Sequence, residues 1–103
     1  MKKILFIVNP ISGNGRRTAI EHAIEKNIDR KLFECELRTT EYAGHAEEIA
    51  REAAAQGVHI VVAVGGDGTI NEVSRALVHT DAALGIIPCG SGNGLARHLR
   101  LPM

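Results

Sequence analysis

The amino-acid sequence predicts a three-layer α/β/α domain with Rossmann-like architecture and a mainly parallel β-sheet. Two observations lead to this fold class. Short apolar runs that suit buried strands alternate with stretches in which apolar residues recur at helical spacing. Repeated strand–helix units of this kind form parallel sheets with right-handed crossovers. The chain has 103 residues, which is enough for one domain with a hydrophobic core.

The first two predicted strands differ in their pattern. Residues Ile4 to Val8 are continuously apolar, which is typical of a central parallel strand covered on both faces. Residues Phe33 to Leu37 alternate, so the second strand is expected at or near an edge of the sheet. The helix between these strands is predicted from an apolar face formed by Ile20, Ala23, Ile24 and Ile28.

The second half of the chain continues the alternation. A second helix is predicted from an alanine-rich stripe over 46–54, and its end from Gly57. The later elements are a strand over 58–64, a helix with apolar residues from Ile70, a strand over 84–87 and a helix starting near Leu95. A flavodoxin-like strand order 2-1-3-4 is expected, and it would place the loop after the first strand beside the loop after the third.

Composition limits the classes of partner. Twelve basic and twelve acidic residues leave no net charge, and three aromatic residues are few for a base-stacking platform, so nucleic acid is not expected as a partner. The apolar run at the N-terminus is too short to cross a bilayer and is followed by Asn9-Pro10 instead of a small-residue cleavage site. The chain is therefore expected to be cytoplasmic.

The polar loops concentrate at one edge of the predicted sheet. Residues 9–15, 65–69 and 88–94 are rich in Gly, Asn and Ser or Thr, and each follows a strand. Ligands bind at the carboxyl edge of parallel sheets, and a glycine turn that opens a helix aims its N–H groups at a phosphate. Asp67 within the second loop suggests either a Mg²⁺ ligand or a group that takes a proton from an acceptor hydroxyl. Neither a P-loop nor a strict Gly-x-Gly-x-x-Gly pattern is present, which disfavours a P-loop NTPase and a dehydrogenase.

Three motifs together resemble one family. Residues 65–73, Gly-Gly-Asp-Gly-Thr-Ile-Asn-Glu-Val, resemble the nucleotide-binding signature of the diacylglycerol kinase catalytic-domain family, which includes sphingosine and ceramide kinases and bacterial lipid kinases. Residues 9–15, Asn-Pro-Ile-Ser-Gly-Asn-Gly, resemble its opening loop, and residues 88–96, Pro-Cys-Gly-Ser-Gly-Asn-Gly-Leu-Ala, resemble its third motif. Thr40, ahead of Gly44-His45-Ala46, matches a threonine that contacts the nucleotide in the family. The motifs occur in the family's order over essentially the whole chain.

The resemblance implies a flavodoxin-like or phosphofructokinase-like fold and a lipid kinase that uses ATP and Mg²⁺ to phosphorylate a lipid hydroxyl. Asp67 is the expected catalytic residue, acting through Mg-bound phosphate or by orienting the acceptor. Glu72 could equally be an exposed helix residue. The nucleotide-binding residues implied by the family resemblance are Asn9, Ser12, Gly13, Thr40, Gly65, Gly66, Asp67, Gly68, Thr69, Asn71, Glu72 and Ser91.

The resemblance also implies a missing partner domain. Family members carry a second, β-rich domain that forms the lipid pocket, so residues 1–103 are expected to be an N-terminal nucleotide-binding domain cut before it. Alone, this domain is expected to bind nucleotide weakly and to lack kinase activity, whereas the full-length protein is expected to contact a membrane peripherally. Two alternatives stay open: an NAD kinase, which also carries Gly-Gly-Asp-Gly-Thr on a similar fold, and a non-catalytic nucleotide-binding module.

Overall fold

A computed structural model describes residues 2–9, 16–29 and 31–88 of the chain. The elements in chain order are β1 (Lys2–Val8), α1 (Arg16–Asn27), β2 (Phe33–Thr39), α2 (His45–Ala55), β3 (Ile60–Gly65), α3 (Asp67–Leu77) and β4 (Ala83–Pro88). Each corresponds to an element predicted from the sequence, and the further helix predicted near Leu95 lies outside the described residues. Among the described residues, no helix combines the length and the apolar character needed to cross a membrane.

The four strands form one parallel sheet in the order β2-β1-β3-β4. This order confirms the expected arrangement, including the edge position of the alternating strand β2. In the register of the sheet, Val8 pairs with Thr39 on one side and with Val64 on the other. The carboxyl ends of β1, β2 and β3 are therefore level, and the loops that follow them start from a common edge.

Two hydrophobic clusters lie on opposite faces of the sheet, because successive side chains of a strand point to opposite faces. On one face, Phe6 and Val62 pack with Ile24 of α1. On the other face, Ile7 and Val61 pack with the alanine-rich side of α2 and with α3. Strands β1 and β3 contribute to both clusters, which explains their uninterrupted apolar sequences and produces the three-layer architecture.

Helix α3 begins earlier than the apolar spacing indicates. The apolar residues of this helix start at Ile70, but the helix itself starts at Asp67, directly after the single residue Gly66. Strand β3 likewise extends to Gly65, one residue beyond the predicted end. Periodicity in the sequence detects only the buried face, so it cannot detect a polar first turn. The junction between strand and helix is accordingly tighter than the sequence pattern suggests.

Helices α2 and α3 pack side by side and are also joined by charged groups. Glu47 of α2 accepts hydrogen bonds from the Arg75 guanidinium of α3, at 3.2 Å from Nε and 3.1 Å from one terminal nitrogen. It also forms an ion pair with Arg51 one turn along α2. These contacts, with the Arg75 hydrogen bond first, hold the pKa of the Glu47 carboxyl below its ordinary value. The pairing links the two helices whose N-terminal ends border the candidate site.

Candidate functional site

The carboxyl ends of three strands are held together by the backbone. The Asn9 N–H donates to the Val64 carbonyl at 3.2 Å, and the Thr40 N–H donates to the Val8 carbonyl at 2.9 Å. These bonds extend the pairing of the sheet by one residue beyond the strands. Asn9 and Thr40 therefore leave the sheet at fixed positions beside the end of β3.

We call the residues from Gly65 to Thr69 the glycine turn. Within it, the single residue Gly66 separates the end of β3 from the start of α3. Gly66 has an extended backbone, with φ −88° and ψ −168°, and no side chain among the described residues caps the helix. The first amides of an α-helix have no partner within the helix, and its N-terminus carries a partial positive charge. The N–H groups of Asp67, Gly68 and Thr69 occupy this first turn at the carboxyl edge of the sheet. This arrangement suits an anion such as phosphate.

The glycines of the turn have different structural roles. A Cβ atom on Gly65 would lie 2.9 Å from Thr69 Oγ1 and 3.0 Å from Thr69 Cβ, so this glycine is needed for packing inside the chain. A Cβ atom on Gly66 or Gly68 would meet no described atom within 4 Å. Both of these glycines are exposed. The open space beside Gly66 and Gly68 is available to a ligand. At Gly65, the corresponding space is occupied by the side chain of Thr69.

Thr69 connects the glycine turn to the end of β1. It is 5% exposed, and its hydroxyl oxygen accepts from Asn9 Nδ2 at 3.4 Å. Because the Asn9 amide donates, the hydroxyl proton of Thr69 stays available for donation to another acceptor. This buried hydroxyl is thus oriented by the neighbouring loop at the point where the first turn of α3 begins.

A cavity of about 460 Å³ opens at this edge of the sheet. Its volume lies within the range typical of small-molecule sites. Glu41 and Glu72 contribute the charged side chains of its lining. The residues that line it are Asn9, Thr40, Glu41, Tyr42, Ala43, Ala46, Gly68, Thr69 and Glu72.

The cavity lies between the glycine turn and the segment Thr40–Gly44, which we call the tyrosine loop. Gly44 ends this loop with φ +90°, a conformation that favours glycine, and it caps α2. The Gly44 N–H donates to the Glu72 carboxylate at 3.4 Å. Glu72 is half-buried and lines the cavity, so it is more than an exposed helix residue. Its carboxylate connects α3 to the loop on the opposite side of the cavity.

The structure brings together part of the predicted site. The predicted residues that line the cavity are Asn9, Thr40, Gly68, Thr69 and Glu72. Gly66 and Asp67 are exposed in the adjoining turn, while Gly65 is buried beneath it. Asn71 is exposed on α3 and is not part of the cavity lining. Ser12, Gly13 and Ser91 lie outside the described residues.

Sequence reasoning missed the contribution of the tyrosine loop. Beyond Thr40, this part of the cavity wall is formed by Glu41, Tyr42 and Ala43, together with Ala46 in the first turn of α2. None of these residue types is diagnostic of phosphate binding. The signal that could have found them is topological, because the loop after β2 leaves the same carboxyl edge as the glycine turn.

The residues present fit a magnesium ion that is held mainly by its substrate. Mg²⁺ prefers oxygen ligands and is usually bound through one or two carboxylates together with substrate phosphates. Asp67 presents an exposed carboxylate in the first turn of α3. The described residues contain no group of three or more His, Cys, Asp or Glu side chains placed to hold a metal. A single exposed carboxylate of this kind would serve as one ligand of a metal–phosphate complex.

Similarity to known proteins agrees with this geometry. A relative from Bacillus subtilis, a diacylglycerol kinase, is 38% identical over 99% of this chain and 34% of its own length. A diacylglycerol kinase from Mycobacterium tuberculosis is 32% identical over 97% of this chain and 32% of its own length. A crystal structure of a diacylglycerol kinase from Bacillus anthracis superimposes with a TM-score of 0.66 and 30% identity, covering 93% of this chain and 36% of that one.

The chain thus spans about a third of the length of the curated relatives that it matches. A sequence profile of the diacylglycerol kinase catalytic domain matches residues 3–103, which is nearly all of the chain. The match includes the glycine turn, Thr40 and Asn9, whose juxtaposition forms the cavity. The chain belongs to the diacylglycerol kinase catalytic domain family.

Proposed function

We propose that this chain is the ATP-binding part of a lipid kinase that transfers a phosphoryl group from ATP to a lipid hydroxyl. The observation that carries the proposal is the cavity in which Asn9, Thr40 and the glycine turn meet at the carboxyl edge of the sheet. Membership of the diacylglycerol kinase catalytic domain family supports it. The β-rich lipid-binding domain that the reaction requires would lie outside these 103 residues, so the lipid itself is bound elsewhere.

The chain's own residues would act mainly by binding and orienting the phosphates. Phosphoryl transfer depends on positioning and charge stabilisation more than on covalent chemistry. Amides in the first turn of α3 would donate hydrogen bonds to the phosphate oxygens, since Gly66 and Gly68 leave space beside them. The Thr69 hydroxyl, held by Asn9, would donate to the same group. Thr40 would contact the nucleotide from the opposite wall.

Asp67 is the residue proposed to take part in phosphoryl transfer. Its exposed carboxylate stands beside the amides of the glycine turn. When bound with the nucleotide, Mg²⁺ would neutralise the charge of the transferred phosphate. Asp67 would hold that ion or, alternatively, orient the acceptor hydroxyl and accept its proton. Ser12, Gly13, Asn71 and Ser91 stay proposed nucleotide contacts on the strength of the motifs alone.

Calorimetric titration of the chain tests nucleotide binding and the role of Asp67 together. We expect Mg-ATP to bind weakly, and Asp67→Asn to weaken Mg-ATP about 10-fold while leaving ATP in excess chelator unaffected if Asp67 holds the metal. If Asp67 instead orients the acceptor, both affinities stay unchanged. Asp81→Asn is the matched control, because Asp81 is exposed and precedes β4 at the opposite edge of the sheet.

Phosphoryl transfer requires a second experiment with a lipid-binding domain present. We expect the isolated chain to phosphorylate no lipid, and a chimaera with the remaining part of the Bacillus subtilis relative to phosphorylate diacylglycerol in vesicles. In that chimaera, Asp67→Asn should slow the reaction about 10²–10⁴-fold, and Asp81→Asn should not. Lipid phosphorylation by the isolated chain would contradict the proposal that a separate domain binds the lipid. Transfer to NAD instead of lipid would favour the NAD kinase alternative, and nucleotide binding without any transfer would favour a non-catalytic module.

A further inference from the structure

The cavity has two chemically different ends. Gly68 and Thr69 form one end, where backbone amides and a buried hydroxyl suit phosphate. Tyr42, Ala43 and Ala46 form the other, which is aromatic and aliphatic. Glu72 follows Gly68 by four residues on the same face of α3, or about 6 Å along the helix, and accepts the Gly44 N–H of the tyrosine loop. A ligand with an anionic group at one end and a flat apolar group at the other would match these two ends of the cavity.

The ring of Tyr42 is fixed by contacts on one side and at its tip. It stacks on the His45 imidazole, with ring centroids 4.3 Å apart and an interplanar angle of 15°. Its hydroxyl donates to the Glu48 carboxylate one turn into α2. His45 is itself anchored, because its Nδ1 accepts the Glu41 N–H at 2.9 Å. Tyr42 is therefore held by the first turn of α2, which its hydroxyl and its ring both contact.

The face of the Tyr42 ring that is turned away from His45 is available to a ligand. Tyr42 is 56% exposed although His45 covers one of its faces. Tyr42 contributes to the lining of the cavity. Aromatic rings held in this way lose little conformational entropy on stacking with a ligand. The hydrogen bond to Glu48 also raises the pKa of Tyr42.

We propose that the free face of Tyr42 is the stacking platform for the nucleobase of the bound nucleotide, with His45 and Glu48 as the groups that position the ring. This inference rests on the proposed function, because it assigns the base end of the same ATP site. Offset stacking between a base and an aromatic side chain needs a π-face more than hydrogen-bond readout. Tyr42 would thus determine affinity for the base, while the glycine turn determines affinity for the phosphates.

The composition of the chain makes the proposal directly measurable. Tyr42 is its single tyrosine, and the chain has no tryptophan. Intrinsic tyrosine fluorescence therefore reports only on this ring. We expect Mg-ATP to change the fluorescence, after correction for absorbance with free N-acetyltyrosinamide, and magnesium tripolyphosphate to bind without changing it. Equal fluorescence changes with both probes would overturn the proposal, since tripolyphosphate has no base to stack.

Variants separate the two ends of the cavity. Tyr42→Ala should weaken Mg-ATP about 10-fold by calorimetry while leaving magnesium tripolyphosphate unchanged. Tyr42→Phe keeps the ring and its stacking on His45 but loses the hydrogen bond to Glu48, so it should retain more of the Mg-ATP affinity than Tyr42→Ala does. Val78→Ala, an exposed position at the far end of α3, is the matched control. Circular dichroism confirms that each variant is folded, which is expected because Tyr42 is exposed.

The outcomes distinguish this inference from the proposal on which it rests. If Tyr42→Ala binds Mg-ATP as tightly as the parent chain does, the stacking role is wrong and the ATP site itself stands. If the parent chain binds neither Mg-ATP nor tripolyphosphate, the proposed function fails and the stacking role fails with it. If both affinities fall together in Tyr42→Ala, the residue supports the whole site and is not a base platform.

Discussion

The glycine turn and the tyrosine loop face each other across one cavity, but they are built in opposite ways. The glycine turn presents backbone amides, and its precision comes from small residues packed against each other, such as Gly65 against Thr69. The tyrosine loop presents a side chain, and its precision comes from hydrogen bonds and stacking around Tyr42. At Gly65 the glycine turn has no room for a larger residue, whereas the tyrosine loop should tolerate a change that keeps an aromatic ring at position 42.

The largest effect that separates the two regions is expected from Gly65→Ala. The added Cβ would lie 2.9–3.0 Å from Thr69 atoms, and Thr69 is buried and cannot move aside freely. We expect a loss of about 1–3 kcal/mol in the free energy of unfolding. Urea denaturation followed by circular dichroism measures it.

Gly66→Ala is the matched control for that substitution. A Cβ on Gly66 meets no described atom within 4 Å, and its φ of −88° is accessible to alanine. Stability should change by less than about 1 kcal/mol, because the smaller freedom of alanine in the unfolded chain opposes its poorer fit as the N-cap residue of α3. Mg-ATP affinity should fall, because the methyl group would occupy the space proposed for the ligand. Equal destabilisation by Gly65→Ala and Gly66→Ala would show that the turn is not packed as described.

A smaller effect is expected from Thr69→Val, which tests the link between the glycine turn and β1. The substitution preserves the side-chain shape but removes the hydroxyl that accepts from Asn9. We expect a loss of about 1 kcal/mol in the free energy of unfolding, because Thr69 is buried and a polar contact is removed. Mg-ATP affinity should fall as well, since the proposed donor to the phosphate is lost.

Thr69→Ser shows whether the hydroxyl matters for the ligand. It retains the donor and acceptor and should restore most of the Mg-ATP affinity, even if the missing methyl group lowers stability. Weak binding by both variants would assign the effect to packing against Gly65 and not to the hydroxyl.

The same contrast explains what the sequence could and could not predict. The layers and the glycine turn follow from apolar periodicity and from a motif whose residues are adjacent in the chain, whereas the strand order was expected by analogy with flavodoxin-like folds. The role of Gly65 did not follow, because its neighbour Thr69 is brought close only by the tight junction between β3 and α3. Glycines in such a motif read alike in sequence although their Cβ positions face different surroundings.

The tyrosine loop was harder to predict for a different reason. Tyr42 counted only as one of few aromatic residues. The topology predicts that the loop after β2 leaves the same edge as the glycine turn, but it does not predict which side chains of that loop line the cavity. Its position follows from the register in which Val8 pairs with both Thr39 and Val64. The ring's orientation depends further on His45 and Glu48, whose rotamers are decided by α2 and not by any local motif.

The smallest expected effect concerns the ion pair that joins the two helices behind these regions. Glu47→Gln removes the carboxylate that accepts from Arg75. The folded-state pKa of Glu47 is lowered, chiefly by that hydrogen bond, so its contribution to stability is present above the carboxyl's ordinary pKa and is lost as the pH falls through the lowered value. The loss should be smaller than that of Thr69→Val, because these groups are accessible to solvent.

Urea denaturation of the parent chain and of Glu47→Gln at a series of pH values measures this contribution. The stability difference should be present at neutral pH and shrink toward acid, and it should be reduced at high salt because exposed charges are screened. Glu52→Gln is the matched control, since Glu52 is exposed on α2 and pairs only within that helix, with Gln56, in the contacts described. A difference that persists unchanged in acid would mean that Glu47 acts through packing. Helices α2 and α3 would then be joined by packing and by the hydrogen bond from Gly44 to Glu72, and the tyrosine loop would keep its position relative to the glycine turn without the Glu47–Arg75 ion pair.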